Sequence, residues 1–463
     1  MWGSEMKIRD MKKKMQLAVV LGATVGLGGC GDLAVPDLNR PSVDSLERTP
    51  TRSAVISAAQ GLLVGHRSGV ATQGGYVSVL GVLGRESYIM DTADPRYVGE
   101  LLAGATLDPG SPAFGGNFWT APYANIRNAN TLFTALDAVQ GVSDAEKEAF
   151  RGFAKTLQAL DFLVLINTRD SNGVALDVNR PVGGPLAPIV TDRKQVFAFI
   201  AQLLDEGQTH LAAGGTAFPF PLSSGFESFA SPGEKMTVPE FIRFNRALKA
   251  RVDVYREAWA EALVDLDGSF LDTAAPLTRG VYNAYGTGSG DTPDELNDPD
   301  IYAHPSIVTD AEHQQADSSL LDARVLRKIK PAKEPRKYQG VSSDVTFSLY
   351  PAATTPVPII RNEELILLRA EARLQTGDVT GARQDINFIR TTSGGLAPLS
   401  GEGDADYITE ILKQRRYSLL FEGGHRWIDM RRYGRLDQLP IDVEGHRVHE
   451  RFPLPIAETD ARQ

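Results

Sequence analysis

Cysteine is almost missing from this chain: Cys30 is the only one in 463 residues. A lone cysteine excludes an intrachain disulfide, a cysteine-based zinc site and a paired thiol redox motif. An excess of basic charge is missing too, with 48 Lys and Arg against 58 Asp and Glu and a net charge of −10. A nucleic-acid surface needs clustered Lys and Arg, so no nucleic-acid partner is expected. No Gly-x-Ser-x-Gly or phosphate loop occurs, and no cofactor is expected. After residue 27 no apolar run reaches the ~20 residues that a membrane-spanning helix needs.

What is present can build a large core, since 42% of residues are hydrophobic and only 23% charged. Length alone predicts roughly three domains, although a helical repeat can absorb it in one unit.

The N-terminus speaks to compartment. Basic residues cluster from Lys7 to Lys14, and Met15 to Leu27 is uncharged and apolar or small. This is a signal-peptide pattern, with the start at Met1, Met6 or Met11. It ends in Leu27-Gly28-Gly29-Cys30, which resembles a bacterial lipobox. That resemblance implies cleavage before Cys30 and lipid attachment to it, with 1–30 as the lipoprotein signal peptide. Several acyl chains on one residue hold a protein firmly on a membrane. The polar, proline-bearing stretch 31–50 reads as a tether and 51–463 as the folded domain.

Helical stripes recur through that domain. Ile126, Ala129, Leu132, Phe133 and Leu136 share one face. Ser143 and Glu146 form a capping box for a helix to about Asn167. Asp192 opens another, and Pro239 stands at the first turn of a helix expected through Ala262. Asn362 begins a helix that Gly377 stops, and Asp378 starts a second with Val379, Ala382, Ile386 and Ile389 on one face. Helices joined by so short a turn pack antiparallel, as in a tetratricopeptide unit. A further helix spans about 405–421. The stretch 270–358 is rich in Gly, Pro, Asp, Asn and Tyr and reads as an irregular, loop-rich excursion.

Several blocks resemble the SusD/RagB family. They are Phe118 to Asn130, Phe244 to Val252, Arg361 to Gly377 with Ile386 to Arg390, and Gln414 to Arg432 with its Glu422-Gly423-Gly424-His425-Arg426-Trp427 run. Pro453-Leu454-Pro455-Ile456 with Glu458 resembles the family's closing segment. Gln414 and Ser418 stand where the family usually has glutamates, which puts one ion-pair pattern in doubt. The resemblance implies an all-α, tetratricopeptide-like scaffold with long loop insertions. It also implies an outer-membrane surface lipoprotein that binds glycan or peptide nutrient and works with a SusC-like TonB-dependent transporter. The other reading is a lipid-anchored helical-repeat scaffold for protein partners, without a small ligand.

Glu422, Arg426, Asp429 and Arg432 are expected to form one charge network, and Trp427 to be core. Glu363, Glu364 and Glu371 are carboxylates of the type a glycosidase pairs, but helix-dipole stabilisation suffices to explain the first two, and the chain is not expected to be an enzyme. His446-x-x-His449 lacks zinc-helix spacing and reads as solvated surface; Asp170-Ser171-Asn172-Gly173 only begins like a calcium loop. Ligand contact is expected from loops where aromatics sit beside polar groups. The candidates are Tyr88, Asp91, Arg96 and Tyr97 in one stretch, and Tyr285 and Tyr302 in a second that also holds Tyr282.

Overall fold

The computed structural model describes residues 43–463 except 112, 113, 115, 182 and 400–405, and the described chain is one compact unit. The lipobox and Cys30 lie outside the described residues. The eleven helices of eight or more residues among those described are α1 (Arg52–Arg67), α2 (Tyr76–Leu83), α3 (Thr120–Ala138), α4 (Asp144–Arg169), α5 (Arg193–Ala213), α6 (Val238–Tyr255), α7 (Trp259–Asp267), α8 (Asn362–Gln375), α9 (Val379–Thr392), α10 (Tyr407–Ser418) and α11 (His425–Arg432). The chain is mainly helical, and helices near one another in sequence pack together: α1 on α3, α3 on α4, α4 on α5, α5 on α6 and α8 on α9.

The helix starts follow their caps. Ser143 and Glu146 make the reciprocal capping box of α4, and Thr237 and Glu240 make a second one for α6, beside Pro239. Asp192 accepts from the Lys194 backbone N–H, and Asp378 from that of Gly381. The α6 helix ends at Tyr255 rather than running to Ala262. Glu257 takes a positive φ of 66°, which breaks the chain before α7 begins at Trp259. Close packing of α4 on α5 depends on Gly152, where an added Cβ would sit 2.5 Å from Leu211 and 2.7 Å from the Gly207 carbonyl.

One apolar cluster runs from the first helices to Phe452. Its densest part is aromatic: Phe150 stacks on Phe220 at 4.9 Å, and Phe241 meets Phe153, Phe218 and Phe244. Trp427 is fully buried, as expected.

The stretch 270–358 is more ordered than its composition implies. It contributes strand Gly280–Asn283 paired with Val357–Arg361, strand Ile301–Ala303 paired with Ser87–Ile89, and a hairpin of Ile329–Tyr338 with Val341–Phe347. Gln339 and Gly340 turn that hairpin with φ of 45° and 89°, the two positive values a two-residue turn of matching twist needs.

The charges of the C-terminal block form two networks instead of one. Arg361 bridges Glu422 at 2.8 Å and Glu363 at 3.1 Å, and Lys328 joins Glu422 at 3.0 Å. Separately, Asp429 pairs with Arg415 at 2.6 Å and with Arg432 at 2.9 Å, while Arg432 reaches Glu371. Arg426 joins neither and donates to the Arg85 carbonyl at 2.8 Å. Glu364 pairs with Arg251 at 2.6 Å. Ser418 donates to Glu363 at 2.7 Å and accepts from Arg324 at 3.1 Å, so this hydroxyl keeps both groups hydrogen-bonded.

Candidate functional site

Strand pairing unites the two predicted binding stretches. Tyr88 and Tyr302 are direct partners in the antiparallel pair of Ser87–Ile89 with Ile301–Ala303. Their rings, however, pack inward. Tyr88 is 1% exposed, lies 4.9 Å from the His304 ring and donates to Asp442 at 2.7 Å. Tyr302 is buried, donates to the Glu334 carbonyl and carries the Arg336 guanidinium 5.5 Å above its ring. Tyr97 is buried against Phe114 at 5.5 Å. The expectation of exposed rings is therefore corrected for these three: on elements this short, the tyrosines supply the apolar packing that fixes the loops to the scaffold. The polar members stay outside. Asp91 accepts from the Ala93 backbone N–H at 2.7 Å, and Arg96 pairs with Asp94 at 2.6 Å while lying 5.7 Å over Phe114.

Tyr285 is as buried as Tyr97, at 7% exposed, but with Tyr282, Phe229, Arg279 and Glu227 it lines an open cleft of about 480 Å³. Tyr282 comes from strand Gly280–Asn283, and Phe229 from the turn region before α6. The wall is drawn tight at Gly225, where a Cβ would fall 1.9 Å from the Tyr282 carbonyl, and the Tyr282 N–H donates to the Gly225 carbonyl at 3.0 Å. Burial raises the Tyr285 phenol well above its usual value and pushes Tyr282 up to about 12, so both are neutral hydroxyls at physiological pH. The Tyr285 hydroxyl has no hydrogen-bond partner among the described residues, and the Arg67 guanidinium sits 5.8 Å from its ring.

Aromatic faces with a few polar groups suit a sugar-like ligand, which has apolar ring faces and hydroxyl edges. Among the described lining residues Glu227 is the single carboxylate, so the cleft lacks the paired acids of glycoside hydrolysis. Sequence reasoning missed Phe229, Arg279 and Glu227. The pattern Phe218, Phe220, Phe226 and Phe229 between proline-rich turns was the available signal, because four aromatics in one loop are more than a solvated connection needs.

Other motifs have structural surroundings. His446 and His449 are buried rather than solvated, and burial lowers the pKa of each. Among the described residues no group of three or more His, Cys, Asp or Glu is arranged to hold a metal, and no helix is long and apolar enough to cross a membrane.

Residues 335–456, which include the hairpin tip, the α8–α9 pair and the C-terminal charge networks, match the sequence model of the SusD family, SusD_RagB. Over that segment, about a quarter of the chain, the sequence is similar to the SusD/RagB family. Solved SusD-like structures share its fold across most of its length. A SusD superfamily protein from Bacteroides vulgatus is 14% identical, with a TM-score of 0.63 over 88% of this chain and 96% of its own. A SusD-like carbohydrate binding protein from Bacteroides fragilis is 14% identical, with a TM-score of 0.65 over 85% of this chain and 88% of its own. Surface glycan-binding protein A from Bacteroides uniformis is 15% identical, with a TM-score of 0.59 over 80% of this chain and 86% of its own. No curated protein matches the chain. The shared, mainly helical fold thus extends well beyond the matched segment; of the cleft, Phe229, Arg279, Tyr282 and Tyr285 lie outside that segment, and Thr354 and Pro356 lie within it.

Proposed function

We propose that this protein is a SusD/RagB family member that binds glycan or another nutrient oligomer at the outer-membrane surface and passes it to a SusC-like TonB-dependent transporter. It acts by capture, without breaking bonds in its ligand. The observation that carries the reading is the Tyr282–Tyr285–Phe229 cleft on a SusD-like scaffold, since open aromatic surface beside Arg279 and Glu227 is the chemistry of a sugar site and lacks a catalytic acid pair. The names of the Bacteroides fragilis and Bacteroides uniformis structures support carbohydrate as the ligand class. The lipobox at Cys30 supports anchoring by lipid, with the soluble scaffold facing the cell exterior.

Calorimetric titration of the purified scaffold against neutral oligosaccharides tests the reading. A saturable signal that Phe229→Ala and Tyr285→Ala weaken, with the oligosaccharide recovered intact, is the expected result. Steady release of shorter products, or binding indifferent to both changes, overturns it.

A further inference from the structure

A second pocket, of about 360 Å³, opens where the C-terminus of α4, the first turn of α5, the α6–α7 break and α11 converge. Its walls combine four rings, Phe197, Tyr255, Trp259 and Tyr433, with the guanidinium groups of Arg193, Arg431 and Arg432.

The charges here do not balance. Arg432 is matched by Glu371 and Asp429, at 2.9 Å each. Glu257 is matched by Lys194 at 3.1 Å. That leaves Arg193 and Arg431 sharing Asp170, at 3.5 and 3.6 Å from the same carboxylate oxygen. Two cations face one anion, and both approaches are long for charge-assisted hydrogen bonds.

Buried groups at the pocket also lack partners. Arg431 is 8% exposed, and its Nε has no hydrogen bond among the described residues; its two terminal nitrogens hold the Glu450 and Asn167 carbonyls. Asn167 is 7% exposed, and its Oδ1 has no partner among the described residues. Unmet donors and acceptors at such burial are uncommon and call for an occupant. Backbone strain gathers at the same place: Asp170 and Glu257, both lining the pocket, hold φ of 46° and 66°.

We propose that this pocket binds one sugar acid, a hexuronate-type ring carrying a single carboxylate. The surplus positive charge of Arg193 and Arg431 receives the carboxylate, the Asn167 side-chain carbonyl accepts a ring hydroxyl, and Trp259 with Tyr433 flanks the ring. Its volume lies near the lower end of the roughly 300–1,000 Å³ of small-ligand sites, which suits one ring and not a chain. The site is separate from the Tyr285 cleft, so either can fail without the other.

The test is calorimetry of the folded scaffold with D-galacturonate, D-galactose and acetate, each at low and high salt. Galacturonate is expected to bind at least tenfold tighter than galactose or acetate and to weaken as salt rises. Arg193→Gln, at a partly exposed position, is expected to cost tenfold or more in galacturonate affinity with an unchanged melting temperature, and Trp259→Ala to weaken it as well. Tyr285→Ala is expected to leave it unaltered. Equal affinity for galactose, acetate binding as tightly as galacturonate, or indifference to Arg193→Gln each overturns the proposal. Loss of galacturonate binding in Tyr285→Ala places the ligand in the other cleft and overturns it too.

Discussion

The Trp427 indole N–H donates to the His449 carbonyl at 2.8 Å, tying α11 to the last irregular segment of the chain. The ring is fully buried, with Phe452 edge-on at 6.1 Å and the Arg431 guanidinium 4.4 Å from its centre. Trp427→Ala removes the largest side chain of this junction and leaves the His449 carbonyl unpaired. A loss of about 3–5 kcal/mol is expected in denaturant unfolding. A loss below about 1 kcal/mol would show that the junction repacks around the gap.

Arg361 is the centre of a buried charge network with Glu363 and Glu422. Arg361→Met leaves two carboxylates with Lys328 as the remaining nearby cation, at 3.0 Å from Glu422. Removing one member of a buried ion pair costs about 3–5 kcal/mol, because the uncompensated charge stays behind. The double change Arg361→Met with Glu422→Gln should recover part of that loss, and the melting temperatures of the two variants measure it.

Glu86 gives a pH dependence. It is fully buried, one of its carboxylate oxygens has no partner among the described residues, and burial raises its pKa to about 7. A carboxyl with its folded pKa raised binds a proton that the unfolded chain has already released. Its contribution to stability is therefore present below about pH 4.5 and is lost as pH rises to about 7. The size is on the order of 3 kcal/mol. Glu86→Gln, which carries no charge to bury, should gain stability over wild type at pH 8 and lose that advantage near pH 4.5. Melting curves at the two pH values decide it, and an equal difference at both would contradict the assignment.

Tyr88 separates packing from binding. Tyr88→Phe keeps the ring and removes the bond to Asp442. A fall of about 1–2 kcal/mol in stability with unchanged oligosaccharide affinity is expected. In contrast, Gly225→Ala forces the Tyr282 backbone aside and should weaken ligand binding in the cleft as well as lowering the melting temperature. The two variants, run side by side by calorimetry and thermal melting, tell scaffold from site.

The anchor is tested in cells. Cys30→Ser should release the protein from membranes with its melting temperature unchanged. Retention in the outer-membrane fraction at high salt, in a strain lacking the partner transporter, would refute lipid attachment at this residue.

The helices were legible because caps and stripes are local signals: Ser143 with Glu146, Asp192 and Asp378 each start a helix where the sequence places one. The hairpin of Ile329–Tyr338 with Val341–Phe347 was not, because its first strand carries Pro331, Pro335 and several charges. Prolines are tolerated there since a two-stranded sheet has only edges. Gln339-Gly340 was its one readable mark. For the site, sequence could gather Tyr88 and Tyr302 into loops but could not orient them. Strands of three residues buried on both faces show no alternation, so inward and outward rings look alike. Tyr285 was recognised by its neighbours, whereas Arg279 and Phe229 join it only through the pairing of Gly280–Asn283 with Val357–Arg361 and the approach at Gly225.

The closing segment reaches back to clasp early parts of the chain. The Arg85 guanidinium donates to the Pro440 and Arg447 carbonyls, Arg447 donates to Leu102, Phe452 to Thr168, and Arg462 to Ala187. Synthesis delivers these latches last. Until they arrive, the Arg85 guanidinium and the Leu102, Thr168 and Ala187 carbonyls lack these partners, so a chain cut before Pro440 should be less stable than the whole.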